Sequence, residues 1–330
     1  MNKYNIKIIL YDSILYKIKP GTMNYIKAYE YESNVNPKMN SVPITTKNIN
    51  DCEYGITFID FSEIYNVAYK ASSPNLLASF IKIEPNNSCI KDTEIYDKES
   101  SFNSSSNLFY IMKGNCEICL NNSDDDKDRF DLSCGDIFIA PFFSSIRILN
   151  NSEDEDLHIY FINDSPLLNY LGSKASNRTF VPSVYSKEYL LRNLENLSNP
   201  NNNRKGILLS NQDTEKIGTN TITPVLWALY NELPPHTSQR PHKHNSVALD
   251  LCISANDTDN IYTLLGDELD EDGKIINPKK VYWNTNEMFV TPPGLWHSHH
   301  NQGDTYAYVL PIQDAGILLY QRILGIVLTH

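Results

Sequence analysis

Five of the eight histidines in this chain fall in two short segments, Pro241-His242-Lys243-His244 and Trp296-His297-Ser298-His299-His300. Residues two apart on a β-strand share a face, so His242 and His244 can reach into one pocket, and His297 on a later strand can supply a third imidazole. Three neutral imidazoles with coordination positions left open suit Fe(II), and also Mn, Co, Ni, Cu or Zn. A metal held in that way usually serves catalysis. His299 shares the parity of His297, which makes it either an acid/base or substrate contact or a hydrogen-bonded wall residue. His300 should face away.

These residues must be positioned by strands. Turn signals are frequent and helical periodicity is rare. Short apolar runs recur at Leu76–Ile83, Leu108–Met112, Asp136–Ala140 and Leu157–Ile162, and again at Thr223–Tyr230, Val247–Ile253, Ile261–Leu265, Glu287–Thr291 and Tyr306–Pro311. Such a series predicts a sandwich or barrel. The clearest helix is Lys187–Leu197, with Ser186 as N-cap, a leucine stripe and Pro200 beyond its end. The polar run Ser198–Lys205 reads as an exposed linker, and the acidic run Asp124–Asp126 as a solvated hairpin tip.

That linker separates two halves that parallel each other. Leu77-Ala78-Ser79-Phe80-Ile81-Lys82-Ile83-Glu84-Pro85 matches Leu226-Trp227-Ala228-Leu229-Tyr230-Asn231-Glu232-Leu233-Pro234. Gly135-Asp136-Ile137-Phe138-Ile139-Ala140-Pro141 matches Asn286-Glu287-Met288-Phe289-Val290-Thr291-Pro292. Each half closes on a strand, an Asp (Asp164 or Asp314) and an apolar tail. A repeat of this size predicts duplicated barrels. The position matching His297 is Ile146, and no histidine precedes His158, so the first barrel is expected to lack the metal site.

The charge of −12 argues against nucleic acid or an anionic membrane surface as partner. No stretch reaches the roughly 20 apolar residues of a membrane helix. The six cysteines are too few for a disulfide scaffold in 330 residues. Cys116 and Cys119 have a Cys-x-x-Cys spacing, but on a strand they would face opposite sides, with no second pair nearby to make a zinc site. A cytoplasmic protein with reduced thiols is expected.

The second half resembles the cupins. Their first motif carries His-x-His, and their second has the form Pro-x-Gly-x-x-His-x-x-x-Asn, which Pro292, Gly294, His297 and Asn301 match in full. With its parallel first half, the chain resembles a bicupin. The segments around His242 and His297 are most similar to the gentisate 1,2-dioxygenase group. Three departures stand out. His236 occupies the usual first-motif Gly position, and Asn286 the usual second-motif one. Ala248 and Leu249 stand where cupins carry a ligating Glu, whose loss agrees with the all-histidine metal site of the gentisate group. Asp250 has the parity of the ligands but lies about two strand residues, roughly 7 Å, farther on.

The resemblance implies an all-β chain of two tandem cupin (jelly-roll) barrels joined by a short helical linker. Its divisions are an N-terminal arm at 1–50, a degenerate barrel without a metal site at 51–175, the linker at 176–205 and the metal-binding barrel at 206–330. It implies one divalent metal per chain on His242, His244 and His297, with Fe(II) favoured and Mn, Ni or Zn as alternatives. His299 and Asp250 are the candidate catalytic or substrate contacts, and Pro292, Gly294 and Asn301 the structural motif. Arg240, Trp296 and Cys252 are further pocket candidates. The partner is a small-molecule substrate, and the assembly a homo-oligomer, dimer or tetramer. Three functional readings stand at this point: a non-haem Fe(II) dioxygenase acting on a hydroxylated aromatic acid, a cupin isomerase or hydrolase using Mn or Zn, and a non-catalytic ligand-binding or structural bicupin. The long acidic hairpin Asn256–Lys280 is expected to be a lid or a subunit contact.

Overall fold

The computed structural model describes residues 28–36, 38–89, 100–121, 126–197 and 205–329. Residues 1–39 and 40–330 are separate units. In the first, a single turn of helix at Tyr31–Asn34 is capped by the Glu30 carboxylate. Residues 1–27 of the expected arm, the linker positions 198–204, and Asp124 and Asp125 lie outside the described residues.

The second unit contains four antiparallel sheets, two per barrel. In the first barrel, the large sheet runs Ser183–Tyr185, Ile137–Ala140, Asn107–Lys113, Leu157–Asn163, Leu77–Ile83, Gly55–Ile59. Its small sheet runs Ser88–Cys89, Ile146–Asn150, Asn115–Leu120, Arg129–Ser133. In the second barrel, the large sheet runs Thr46–Asn48, Glu287–Thr291, Ala248–Ser254, Ala307–Gln313, Trp227–Leu233, Lys205–Leu209. The facing sheet runs Lys279–Tyr282, Ile261–Gly266, Trp296–Asn301, His242–His244, Ile326–Leu328, with Thr237–Ser238 alongside Trp296–Asn301.

The two large sheets share one strand order, and most of their strands start 150 residues apart, at 77 and 227, 137 and 287, and 157 and 307. Their strands read as continuous apolar runs because both faces are covered. In Leu157–Asn163 every residue is buried. One face looks into its own barrel, where Ile81, Phe109, Phe138 and Phe161 cluster. The other face packs against the second barrel, so Phe80, Tyr110 and Tyr160 share a core with Tyr230, Leu251 and Leu310. One strand crosses the joint, and another extends the first barrel's own sheet. Thr46–Asn48, expected within the arm, pairs with Glu287–Thr291 of the second barrel, and Ser183–Tyr185, expected within the linker, pairs with Ile137–Ala140 of the first.

The linker helix spans Lys187–Glu195, with the Ser186 hydroxyl accepting from the Tyr189 amide as expected of an N-cap. The apolar tails follow Asp164 and Asp314 in both barrels. Each begins with a short helix, Ser165–Tyr170 or Ala315–Tyr320, and the second then adds the strand Ile326–Leu328 beside the histidine strand. The acidic hairpin is an extension of the sheet, with Ile261–Gly266 paired to Lys279–Tyr282. Among the described residues no helix is long and apolar enough to cross a membrane.

Candidate metal centre

His242 and His244 alternate inward along their short strand, and His297 is the register partner of His242 on the neighbouring strand. The three rings converge in the mouth of the second barrel, with one ligand-capable atom from each within 4.8 Å of the others. All three side chains are buried. Ring centroids lie 4.0 Å apart for His242 and His297, and 4.8 Å for His244 and His297.

The protonation of two of these rings is set by the backbone. His244 Nδ1 lies 2.9 Å from the Ser246 carbonyl, and His297 Nδ1 lies 3.0 Å from the Leu295 carbonyl. A carbonyl can only accept, so each Nδ1 carries the proton and the lone pair falls on Nε2. Ser246 is in turn anchored by donating its hydroxyl to Gln313 Oε1 at 2.7 Å. The donor set therefore fits a divalent transition metal, as three neutral imidazoles.

The second-motif residues hold this arrangement together. Gly294, at φ +82°, donates its amide to the His244 carbonyl at 2.7 Å, which ties the turn to the ligand strand. A side chain there would strain a left-handed backbone. Pro292 is buried where that turn begins. Asn301 donates to the carbonyls of Leu233 and Thr305 and accepts from the Gly303 amide, fastening the end of the histidine strand. The lost motif glycines kept their conformation: His236 has φ +52° and Asn286 φ +67°. Asn tolerates that region readily. His236 is exposed and lies 3.1 Å from Asp304.

Asp250 and His299 both line the cavity beside the three ligands. Asp250 is almost fully buried, accepts from the Thr291 hydroxyl at 2.7 Å, and is pushed up to about 7 by that burial. His299 Nδ1 lies 2.8 Å from the Thr263 hydroxyl, which accepts from the Trp283 indole at 2.8 Å. The arrangement that satisfies all three groups has Thr263 donating to His299, with the imidazole proton on Nε2. His300 faces outward, stacked on Tyr262 at 5.0 Å.

The three further pocket candidates lie elsewhere. Arg240 is exposed and forms no part of the cavity wall. Trp296 points away from the site with the Lys243 ammonium 4.6 Å above its ring. Cys252 sits in the apolar core beneath the cavity with Trp283 and Phe289, where burial pushes its thiol up. Cys116 packs inside the first barrel, whereas Cys119 contacts Glu117 and Arg147. Sequence reasoning missed Trp227, Asn231, Gln239, Gln313 and Ile326, which line the wall together with the apolar Leu229, Ala248 and Pro311. Asn231 carried a usable signal, since it is a polar residue at pocket parity in an otherwise apolar run.

No family model and no curated protein matches the sequence. Solved structures do match in fold. The salicylate 1,2-dioxygenase from Pseudaminobacter salicylatoxidans is 13% identical, with 99% of this chain and 98% of that chain covered at a TM-score of 0.66. The same enzyme in adducts with gentisate is 12% identical, covering 99% and 95% at 0.66. A mutant of that enzyme in complex with gentisate is 13% identical, covering 99% and 96% at 0.66. Identity this low speaks for the fold alone, and that fold, across both halves, is the tandem cupin barrel.

Proposed function

We propose that the chain is a metal-dependent oxygenase of the non-haem Fe(II) type. Its metal centre is in the second barrel, and it acts on a hydroxylated aromatic acid that chelates through an adjacent hydroxyl and carboxylate. The observation that carries this reading is the convergence of three buried imidazoles, two with their Nδ1 protons committed to backbone carbonyls. His242, His244 and His297 would hold the metal and, with no carboxylate among them, leave positions for substrate and oxygen. The metal supplies electron transfer between a chelated substrate and O₂. The protein orients the substrate within a largely buried cavity and keeps water from it. Asp250 and His299, both lining the cavity beside the three ligands, are the groups placed to exchange a proton with the substrate and to present an N–H to it. A homo-oligomer in the cytoplasm belongs to the same reading; light scattering would check the assembly.

The test is oxygen uptake by anaerobically purified, iron-loaded protein with a panel of hydroxylated aromatic acids. Uptake that requires iron and disappears with His297→Ala supports the reading. Zinc or manganese as the bound metal, with turnover of sugars or keto acids instead, would replace it with a non-oxidative cupin enzyme. Failure to bind any metal would leave a ligand-binding or structural bicupin.

A further inference from the structure

The peptide unit between Ser246 and Val247 is held at both ends. Its carbonyl accepts from Nδ1 of His244 at 2.9 Å, and its amide donates to Asp314 Oδ1 at 2.9 Å. Asp314 is 6% exposed, and its other carboxyl oxygen accepts from the Asn75 carboxamide at 2.7 Å. Asn75 belongs to the first barrel, in the bend just before the strand Leu77–Ile83. A residue of the barrel with no metal ligands thus ends a hydrogen-bonded chain that begins at a ligand of the other barrel.

The corresponding groups of the first barrel are connected differently. Asp164 takes the place of Asp314, and its second oxygen accepts from the Ser105 hydroxyl at 2.6 Å, within the same barrel. Ser105 corresponds to Ser246, because the next residues, Ser106 and Val247, donate equivalent amides to the two aspartates. The Ser246 hydroxyl is turned instead to Gln313, at 2.7 Å, and Asn75 supplies the donor that Asp314 would otherwise lack. The bend that carries Asn75 recurs before the strand Trp227–Leu233. The Leu76 amide donates to the Ser73 hydroxyl, as the Leu226 amide does to that of Thr223, and the residue matching Asn75 is Val225. A valine side chain cannot donate, so the contact runs one way, from the first barrel towards the metal end of the second.

We infer that Asn75 is a positioning residue for the metal centre: it orients the Asp314 carboxylate, which polarises the Ser246–Val247 peptide and strengthens the hold of its carbonyl on His244. This rests on the metal-centre reading above. A carboxylate bonded to an amide N–H pushes negative charge towards that amide's carbonyl oxygen, and hydrogen bonds in a chain strengthen one another in a buried setting. A firmer bond to Nδ1 fixes the imidazole plane and makes Nε2 a better ligand. The first barrel, its own interior filled with hydrocarbon, serves the site by holding this carboxylate.

The test compares Asn75→Val with Ser105→Ala. The first places in the bend the residue that the matching bend already carries, and the second removes the equivalent bond to the first barrel's own aspartate. Each is measured for Co(II) affinity by competition titration, for the visible absorption of bound Co(II), and for unfolding of the metal-free protein. Asn75→Val should lower Co(II) affinity by about tenfold, the lower end of what losing a supporting partner costs, and shift the absorption bands. Ser105→Ala should change stability to a similar extent and leave affinity and spectrum as in the parent. Asp314→Asn keeps the shape and removes the charge, so it should lower affinity at least as much, and adding Asn75→Val to it should cost no more. Parent-like affinity in Asn75→Val or in Asp314→Asn, or an equal loss of affinity in Ser105→Ala, would overturn the inference and leave the metal-centre reading intact. A parent that takes up no Co(II), or uptake undiminished in His297→Ala, would overturn both.

Discussion

The two barrels are built on the same backbone and filled with opposite chemistry. Strand pairing places Asp250 between Pro311 and Phe289, and in the first barrel the corresponding residue, Phe109, lies between Phe161 and Phe138. Phe109 stacks on Phe161 at 4.4 Å and on Phe138 at 5.8 Å. Ile146 and Ile148 stand where the second barrel has His297 and His299, and both are part of that apolar core. One interior is a hydrocarbon core, the other a metal-ready cavity.

What the barrels share is the framework. Asn150 donates to the carbonyls of Ile83 and Glu155 and accepts from the Ser152 amide, repeating the pattern of Asn301 with Leu233, Thr305 and Gly303. Asp164 accepts from the Ser106 amide as Asp314 does from that of Val247. The motif asparagine is therefore a structural fastener in both barrels, whereas the motif histidine survives only where the interior stayed polar.

Substitutions at matched positions can break this contrast. Removing a ligand should have the largest effect. His242→Ala should abolish iron-dependent oxygen uptake and weaken metal binding by more than the ~10–100-fold attached to losing a supporting partner. Isothermal titration with Co(II) would measure it. Next, Phe109→Asp should import the second barrel's polar residue into a core with nothing to pair it. A loss of about 3–5 kcal/mol is expected in denaturant unfolding, since both aromatic packing and a buried carboxyl's solvation are lost.

Asp250 gives a pH signature. Its folded pKa is raised to about 7, above the ~3.9 of an unfolded aspartate. The native state therefore retains a proton that the unfolded state releases, and metal-free stability falls as pH rises towards 7. Asp250→Asn should remove that slope, gaining on the order of 3 kcal/mol at pH 8 and much less at pH 5, in metal-free thermal or urea unfolding. Asn150→Ala and Asn301→Ala should each cost about 2 kcal/mol and resemble each other, because the fastener is common to both barrels. The smallest effect is expected from Ser246→Ala. It keeps the carbonyl partner of His244 but removes the hydroxyl that lies 3.0 Å from His244 Nδ1 and donates to Gln313, and should lower Co(II) affinity by up to about tenfold with little change in stability.

The repeat, the apolar strand runs and both histidine segments were legible in the sequence because they are local patterns: period-two alternation, a capped helix and a motif with fixed spacing. The fate of Arg240 was less legible, since it lies between two strands and has no parity to read, whereas that of Trp296 could have been read. Trp296 lies one residue before His297, so strand parity alone turns it outward, towards Lys243. Parity placed Cys252 on the right face but not at the right depth, and it lies below the cavity among Trp283 and Phe289. Long-range features had no local signature at all. Nothing near Thr46 announces its pairing with Phe289, and nothing near Ile326 announces that the chain's last strand borders the histidine strand and lines the cavity. The aromatic filling of the first barrel was visible only as missing histidines, since stacking depends on which strands become neighbours.

The central claim is that one barrel holds the metal and the other cannot. Metal analysis of the anaerobically purified protein beside its His242→Ala/His297→Ala variant tests it most directly. About one iron per chain in the parent and none in the variant is the predicted result. Iron that persists in the variant, or a parent protein that takes up no metal after reconstitution, would contradict it.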